Sequence, residues 1–361
     1  MYAKNLKMIV NATQKQSIFI LFICFLPVCR FAQAQKQYNV PRFRVVFYNV
    51  ENLFDIYDDT LKLDDEFTPE AMRHWDNRRF YKKLNNVYKV LINIGEWEPP
   101  AVIGLCEMEN RFVLNKLVYE TPLKKFGYKI IHEESPDKRG IDVTMLYRPD
   151  LFEPVNYEVI PVRFPFDTAS RTRDILYVKG LVYSDTIHFF VNHWPSKYGG
   201  LMGTEPKRAF VASLLKSKTD SLFQISDSAK ILIMGDFNDA PESESISLFL
   251  KAESGTSQPE VNKLYDLMKG LYKKEKIGTH KYQGRWEVLD QFIVSGSMLN
   301  KSPGVAISPN GAHIYHPDYL LEEDEKYTGK KPFRSFTGMK YNGGFSDHLP
   351  VYVDLIRINI Y

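Results

Sequence analysis

Eight short runs rich in Val, Ile, Phe and Tyr, most of them leading into a carboxylate, amide or imidazole, constrain this chain more than any other feature. They are Phe43 to Tyr48, Val102 to Leu105, Val143 to Tyr147, Ile175 to Tyr183, Ile187 to Asn192, Ile231 to Met234, Leu289 to Val294 and Leu349 to Leu355. Short β-branched and aromatic runs bounded by polar residues read as buried strands. At or near their ends stand Asn49, Glu51, Glu107, Asn192, His193, Asp236, Asn238, Asp290, Asp347 and His348. An apolar strand with a polar end is how α/β enzymes hold reactive groups on rigid supports. Singly, each has a plainer reading, Asn as a turn former and Asp-His as a cap. The group as a whole points to a site.

Helical segments separate the strands. The clearest is expected to open at Thr68-Pro69-Glu70, with Thr as N-cap and Pro at the first helical position, and to carry Met72, Trp75, Leu84, Val87, Leu91 and Ile94 to a stop at Gly95. A second is expected from about Pro206 into the 220s, and Pro241 opens a third. Residues 300–344, with Pro303, Gly304, Pro309 and Gly311 and an acidic run, read as a long excursion. No repeat or Pro/Gly/Ser linker divides the chain, so 35–361 is expected to be one α/β domain.

The first 34 residues form a separate segment. They carry Lys4, Lys7, Lys15 and Arg30 without an acidic residue, then an apolar run from Ile18 to Cys29 and an Ala32-Gln33-Ala34 end. These are the parts of a cleavable secretory signal, and the run falls short of the ~20 apolar residues that span a bilayer. The expectation is export to the periplasm or outside after cleavage near Ala34, with no transmembrane segment in the mature chain; an uncleaved anchor is the alternative. Cleavage takes Lys plus Arg from 47 to 43 against 44 Asp plus Glu, so the formal charge of +3 becomes −1. A charge near zero argues against wide polyanion binding by net attraction. Cys24 and Cys29 would leave with the signal and Cys106 alone remain, which excludes an internal disulfide.

The order of the polar strand ends resembles the endonuclease/exonuclease/phosphatase superfamily, the deoxyribonuclease-I-like phosphoesterases. The matching motifs are Phe47-Tyr48-Asn49-Val50-Glu51-Asn52, Gly104-Leu105-Cys106-Glu107, Val191-Asn192-His193-Trp194-Pro195, Gly235-Asp236-Phe237-Asn238, Leu289-Asp290-Gln291-Phe292-Ile293-Val294-Ser295 and Ser346-Asp347-His348-Leu349-Pro350. The resemblance implies a four-layer α/β/β/α sandwich, two packed mixed sheets flanked by helices, with the site at one edge. It also implies a hydrolase dependent on Mg²⁺ or Mn²⁺.

Phosphoester hydrolysis brings water to a phosphorus ringed by anionic oxygens, so it needs a hard cation, donors to the phosphoryl oxygens and a group that deprotonates water. Glu107 is the expected metal ligand, since Mg²⁺ favours oxygen donors and takes few protein carboxylates. The resemblance places Asn49 and Asp347 beside it. If Gly-Asp-Phe-Asn is extended, Asp236 and Asn238 point the same way: Asp236 handles the water or leaving oxygen, and Asn238 donates to the phosphate. His348 contacts the phosphate or acts as base, with Asp290 fixing its tautomer. His193 resembles the second histidine of the nuclease members, and Asp142 is its candidate carboxylate partner. Glu51, Arg173 and Lys197 are further candidates for substrate contact; His280, Tyr282 and Trp286 are candidates for a stacking wall, with packing under the loop the plainer reading of Trp286.

The function expected is that of an exported phosphodiesterase acting on nucleic acid. The alternatives are a sphingomyelinase-like or small-molecule (sugar or inositol) phosphoesterase and, from another class, a non-catalytic binding protein on the same scaffold. The sequence implies no obligate protein partner.

Overall fold

Alternation along the strands decides how the chain stacks. The computed structural model describes residues 42–359 apart from 198, 199, 256 and 301. The expected signal segment and its two cysteines lie outside them. From the start of the described residues run β1 (Phe43–Leu53), helix α1 (Asn77–Asn93), β2 (Val102–Met108), β3 (Lys129–His132), β4 (Asp142–Tyr147), β5 (Phe152–Ile160), β6 (Ile175–Val182) and β7 (Asp185–His193). Helix α2 (Leu201–Ile225) leads to β8 (Lys230–Asp236), β9 (Ala252–Ser254), β10 (Leu264–Asp266), β11 (His280–Tyr282), β12 (Arg285–Glu287) and β13 (Asp290–Ser295). The last part holds β14 (Gly304–Ile314), β15 (Leu321–Glu323), β16 (Lys330–Pro332), β17 (Phe336–Thr337), β18 (Lys340–Tyr341) and β19 (Val351–Ile358).

Two mixed sheets result, one ordered β14-β19-β1-β2-β4-β3 and the other β5-β6-β7-β8-β13-β10-β9. In β8, Leu232 and Met234 join Phe189, Val191 and Phe292 in the apolar cluster between the sheets. The intervening Ile231 and Ile233 join Phe190 and the α2 residues Val211, Ala212 and Leu215 in a second cluster on the outer face. Helix α1 contacts β1 and buries Phe80, Leu84, Val87 and Leu91. The order is therefore helix, sheet, sheet, helix. Two glycines let strands meet closely: a Cβ on Gly104 would lie 2.9 Å from the Met234 side chain of the facing sheet, and one on Gly235 would lie 2.6 Å from the Asn192 backbone oxygen. A buried ion pair, Arg208 to Asp239 at 2.7 Å, ties α2 to the loop after β8.

The helix ends differ from expectation. Helix α1 starts at Asn77, where Asp76 accepts the Arg79 N–H. The Thr68 carbonyl instead takes the Ala71 and Trp75 N–H groups, and the Trp75 indole donates to the Phe54 carbonyl at 3.0 Å. That inward swing of Trp75 needs a left-handed His74 (φ 46°), which ends any continuous helix from residue 68. Helix α2 begins at Leu201, so Pro206 stands inside it, past the first turn, and leaves the carbonyl four residues back without its helical N–H. After Pro241 there is one irregular turn, Ser245–Phe249, held by Ser245 Oγ on the Asp239 carboxylate at 2.7 Å. The expected excursion over 300–344 contains an edge strand, β14, and two small ribbons, β15-β16 and β17-β18.

Asp266 on β10 links the core to pH. Its Oδ1 accepts the Met268 N–H at 2.8 Å, its Oδ2 has no hydrogen-bond partner among the described residues, and burial pushes its pKa up to about 7. An unfolded Asp titrates near 3.9, so its contribution is complete below about pH 4 and is lost as pH rises through about 7, roughly 4 kcal/mol at the outside. Asp266→Asn is expected to flatten the fall in unfolding midpoint between pH 5 and pH 8. Parallel urea curves for both proteins at the two pH values would refute this.

Candidate active site

Register brings the polar strand ends to one place. In the second sheet His193 sits opposite Asp236 across the parallel β7-β8 pair, and Asp236 opposite Asp290 across the antiparallel β8-β13 pair. In the first sheet Asn49 is level with Cys106, one residue before Glu107. At these ends the strand geometry breaks: Glu51, Asn52, Glu107 and Asn238 have φ of 55°, 51°, 62° and 51°. Left-handed backbone at non-glycine residues costs roughly 1 kcal/mol or more each and persists only when neighbouring bonds hold it. Side chains provide those bonds. Asn49 Oδ1 accepts the Glu51 N–H at 2.9 Å, Asp236 Oδ1 the Asn238 N–H at 2.9 Å, and Glu107 Oε2 the Asn52 N–H at 2.8 Å.

The centre is Asp236 Oδ2. Asn49 Nδ2 donates to it at 3.0 Å and also lies 3.3 Å from Glu107 Oε1. The Nε2 atoms of His193 and His348 stand 3.7 and 3.8 Å from the same oxygen, beyond a direct hydrogen bond. Behind His348, Nδ1 meets Asp290 Oδ2 at 2.7 Å, and Ser346 Oγ accepts the His348 N–H while donating to the Asn49 carbonyl at 2.7 Å. The two buried histidines are driven apart in charge. Burial lowers the His348 pKa, but Asp290 and Asp236 outweigh it and hold the imidazole well above its ordinary range. Burial, with Arg173 and Arg139 nearby, puts His193 well below that range. Burial raises Asp236 to about 6 against the pull of His348.

A cationic cradle flanks this centre. Arg334 donates from Nε to Glu51 at 3.0 Å and from Nη2 to Asp347 at 2.8 Å, while Ser335 N–H adds 2.7 Å to Glu51 and buried Lys83 approaches it at 3.8 Å. Burial acts to raise the Asp347 pKa, but Arg334 and the other cations outweigh it and hold Asp347 at about 2. Two groups bring three possible ligand atoms within 4.8 Å of one another, Asp236-Asp290-His348 and His280-Asp347-His348. Glu107 with Asn49 adds hard oxygen donors beside them. Carboxylate, amide and imidazole donors fit a divalent cation such as Mg²⁺ or Mn²⁺ better than a thiophilic one.

The structure thus brings together Asn49, Glu107, His193, Asp236, Asn238, Asp290 and His348. Some expectations need correction. Asp142 does not meet His193; its carboxylate takes the Ser135 N–H at 2.7 Å and faces His132 Nε2 at 3.2 Å. Asn238 is not on an extended segment, since β8 ends at Asp236; its Nδ2 bonds the Trp194 carbonyl at 3.1 Å. Glu51 sits in the Arg334-Ser335 cradle, and Lys197 pairs with Glu287 at 3.2 Å. Buried Arg173 holds Asp137 at 3.1 Å and the Trp194 carbonyl. Of the supposed stacking wall, His280 lies against His348 with ring centroids 4.8 Å apart, Tyr282 is exposed and Trp286 packs on the core. The cradle residues Arg334, Ser335 and Lys83 carry no sequence signal of their own, since Arg334 and Ser335 stand within an irregular loop and Lys83 on a helix.

No sequence among the curated proteins matches the chain significantly. Among solved structures, a zebrafish (D. rerio) TDP2 humanized by 14 mutations shares 14% identity, covers 87% of this chain and 99% of its own, and superposes with a TM-score of 0.53. The human Nocturnin catalytic domain with bound sulfate anion has 16% identity, coverage of 88% and 95%, and TM-score 0.51. A Bacteroides thetaiotaomicron mannosyl-6-phosphatase has 15%, 87% and 99%, and 0.51. These likenesses establish the fold. The family model for the Endonuclease/Exonuclease/phosphatase family matches residues 44–357, nearly every residue described, and the chain belongs to that family of metal-dependent phosphoesterases.

Proposed function

We propose that this chain is an exported, Mg²⁺- or Mn²⁺-dependent phosphodiesterase that cleaves phosphodiester bonds of nucleic acid by attack of water, with 35–361 as its catalytic domain. The observation that carries the reading is the spacing around Asp236 Oδ2: two histidine Nε2 atoms stand 3.7 and 3.8 Å away, too far for direct hydrogen bonds, so that an oxygen set to one side can be met by all three groups. Among the described residues no helix is long and apolar enough to cross a membrane. Supporting export is the basic, then apolar, then small-residue order of residues 1–34.

Glu107 and Asn49, with Asp347 once Arg334 releases it, would hold the cation, which neutralises phosphoryl charge and lowers the pKa of water when bound. Asp236, ionised above about pH 6, takes the proton from the attacking water. Protonated His348, locked by Asp290 at 2.7 Å, donates from Nε2 to a phosphoryl oxygen. Neutral His193 offers its own Nε2 as a second donor, and Asn238 has one amide hydrogen left beyond its bond to Trp194.

The mature charge near zero favours one other reading, a small phosphoester in place of a long strand, in keeping with the mannosyl-6-phosphatase likeness. The two are separated by incubating the purified protein and Mg²⁺ with supercoiled plasmid, single-stranded DNA, RNA, sphingomyelin and simple mono- and diesters. Cleavage of polynucleotides is the expected result. Turnover of monoesters or choline esters alone would transfer the assignment to the small-molecule reading.

A further inference from the structure

A cleft of about 390 Å³ opens beside the catalytic centre, lined by Arg139, Arg171, Thr172, Arg173 and Lys207 among others, and no carboxylate lines it. Four cations therefore face one cavity. Three of them pair with two carboxylates that do not line it. Asp137 is shared between Arg173 at 3.1 Å and Arg139 at 3.6 Å, and Asp167 takes Lys207 at 2.7 Å. Arg171 bonds the carbonyls of Thr168 and Ser170 and has no carboxylate partner among the described residues.

Two buried polar atoms of the lining are unmet. Thr172 Oγ1 and Arg173 Nε have no hydrogen-bond partner among the described residues, although their residues are only 4% and 6% exposed. Buried donors without partners are rare and call for a ligand or an ordered water. The cleft is also joined to the reaction centre. The Trp194 carbonyl receives both the Arg173 guanidinium and the Asn238 amide, and His193, the residue before it, carries the electrostatic imprint of Arg173 and Arg139.

Resting on the phosphoesterase reading above, we propose that this cleft is a subsite for a second phosphate group, and that the preferred substrate carries one phosphate at the scissile position and another adjacent to it. Guanidinium forks and a lysine suit a phosphate's several acceptor oxygens, and a hydroxyl adds a neutral donor. The second phosphate has two possible sources: the next diester of a strand, or a terminal monoester on a small bisphosphorylated molecule.

The test uses thymidine 5′-(p-nitrophenyl phosphate) bearing a 3′-hydroxyl, a 3′-phosphate or a 3′-phosphodiester to a second thymidine. Water adds to the 5′ phosphorus, the P–O bond to the aryl group breaks, and p-nitrophenolate is released. The compounds with a second phosphate are expected to exceed the 3′-hydroxyl compound about tenfold or more in kcat/KM. Arg171→Gln with Lys207→Gln is expected to collapse that ratio. A preference for the monoester identifies a bisphosphorylated molecule, and equal or better use of the diester identifies a strand. Equal kcat/KM for all three overturns the proposal. If none is hydrolysed, the phosphoesterase reading fails on its own. The subsite is then decided by calorimetric titration of inorganic phosphate in EDTA, in a His348→Ala background. Binding should weaken about tenfold on adding the two Gln substitutions, and unchanged binding overturns the subsite.

Discussion

His348→Ala is expected to lower kcat on bis(p-nitrophenyl) phosphate by on the order of 10³, within the usual range for loss of a positioned acid or base. The imidazole is held from both sides: Nδ1 lies 2.7 Å from Asp290, and Nε2 faces the gap over Asp236 at 3.8 Å. Two buried carboxylates keep it charged. The alanine removes the cation that stands where negative charge grows on the phosphoryl oxygens, and no described residue takes its place. Its backbone anchor survives, because the His348 N–H bonds Ser346 Oγ and not its own ring. A folded protein with an unchanged circular dichroism spectrum is therefore expected. Asp290→Asn should lower kcat by a smaller factor and make His348 easier to deprotonate, which shifts the alkaline limb of the rate profile to lower pH. Activity of His348→Ala within tenfold of the parent would sink the assignment.

Glu107→Gln should remove nearly all activity and weaken Mn²⁺ binding, read by electron paramagnetic resonance, by at least the roughly 10–100-fold that loss of a supporting residue costs at a metal site. The carboxylate has two jobs in the structure. Oε2 holds the left-handed Asn52 through its N–H at 2.8 Å, and Oε1 faces Asn49 and the open centre. Glutamine can keep one of these contacts while losing the negative charge. The melting temperature should therefore move little while the metal titration moves a great deal. Unaltered Mn²⁺ affinity would contradict the role of Glu107, whatever happened to turnover.

All eight strand expectations correspond to strands, because each run is short, dominated by Val, Ile, Leu, Phe and Tyr, and bounded by polar or turn-forming residues. Missing from the sequence reading were nine strands of two to four residues, β3 among them, and two longer ones. Of these, β5 hides its pattern behind Pro154 and a mostly exposed middle, and β14 carries a register shift between Ile307 and Ala312 that breaks its alternation. The mutual placement of Asn49, Glu107, Asp236 and His348 follows from strand-end position, which is readable. Arg334 was not readable, because its contacts to Glu51 and Asp347 depend on how an irregular loop folds back across the site. Asp142 misled for a similar reason: a carboxylate before a strand has several neighbours to choose from, and packing gave it to His132.

The pairing of β1 with β19 bears on synthesis. The first and last described strands are antiparallel neighbours, Phe43 opposite Leu355, and β19 also separates β1 from β14. Until β19 has been made, β1 presents an unpaired edge in the middle of its own sheet and β14 has no strand to join. Contacts between chain ends carry the largest loop-closure cost and form slowly. His348 lies only three residues before β19, so the candidate centre is assembled along with that strand. The first sheet and the candidate centre at its edge therefore close together, in one step that waits on β19.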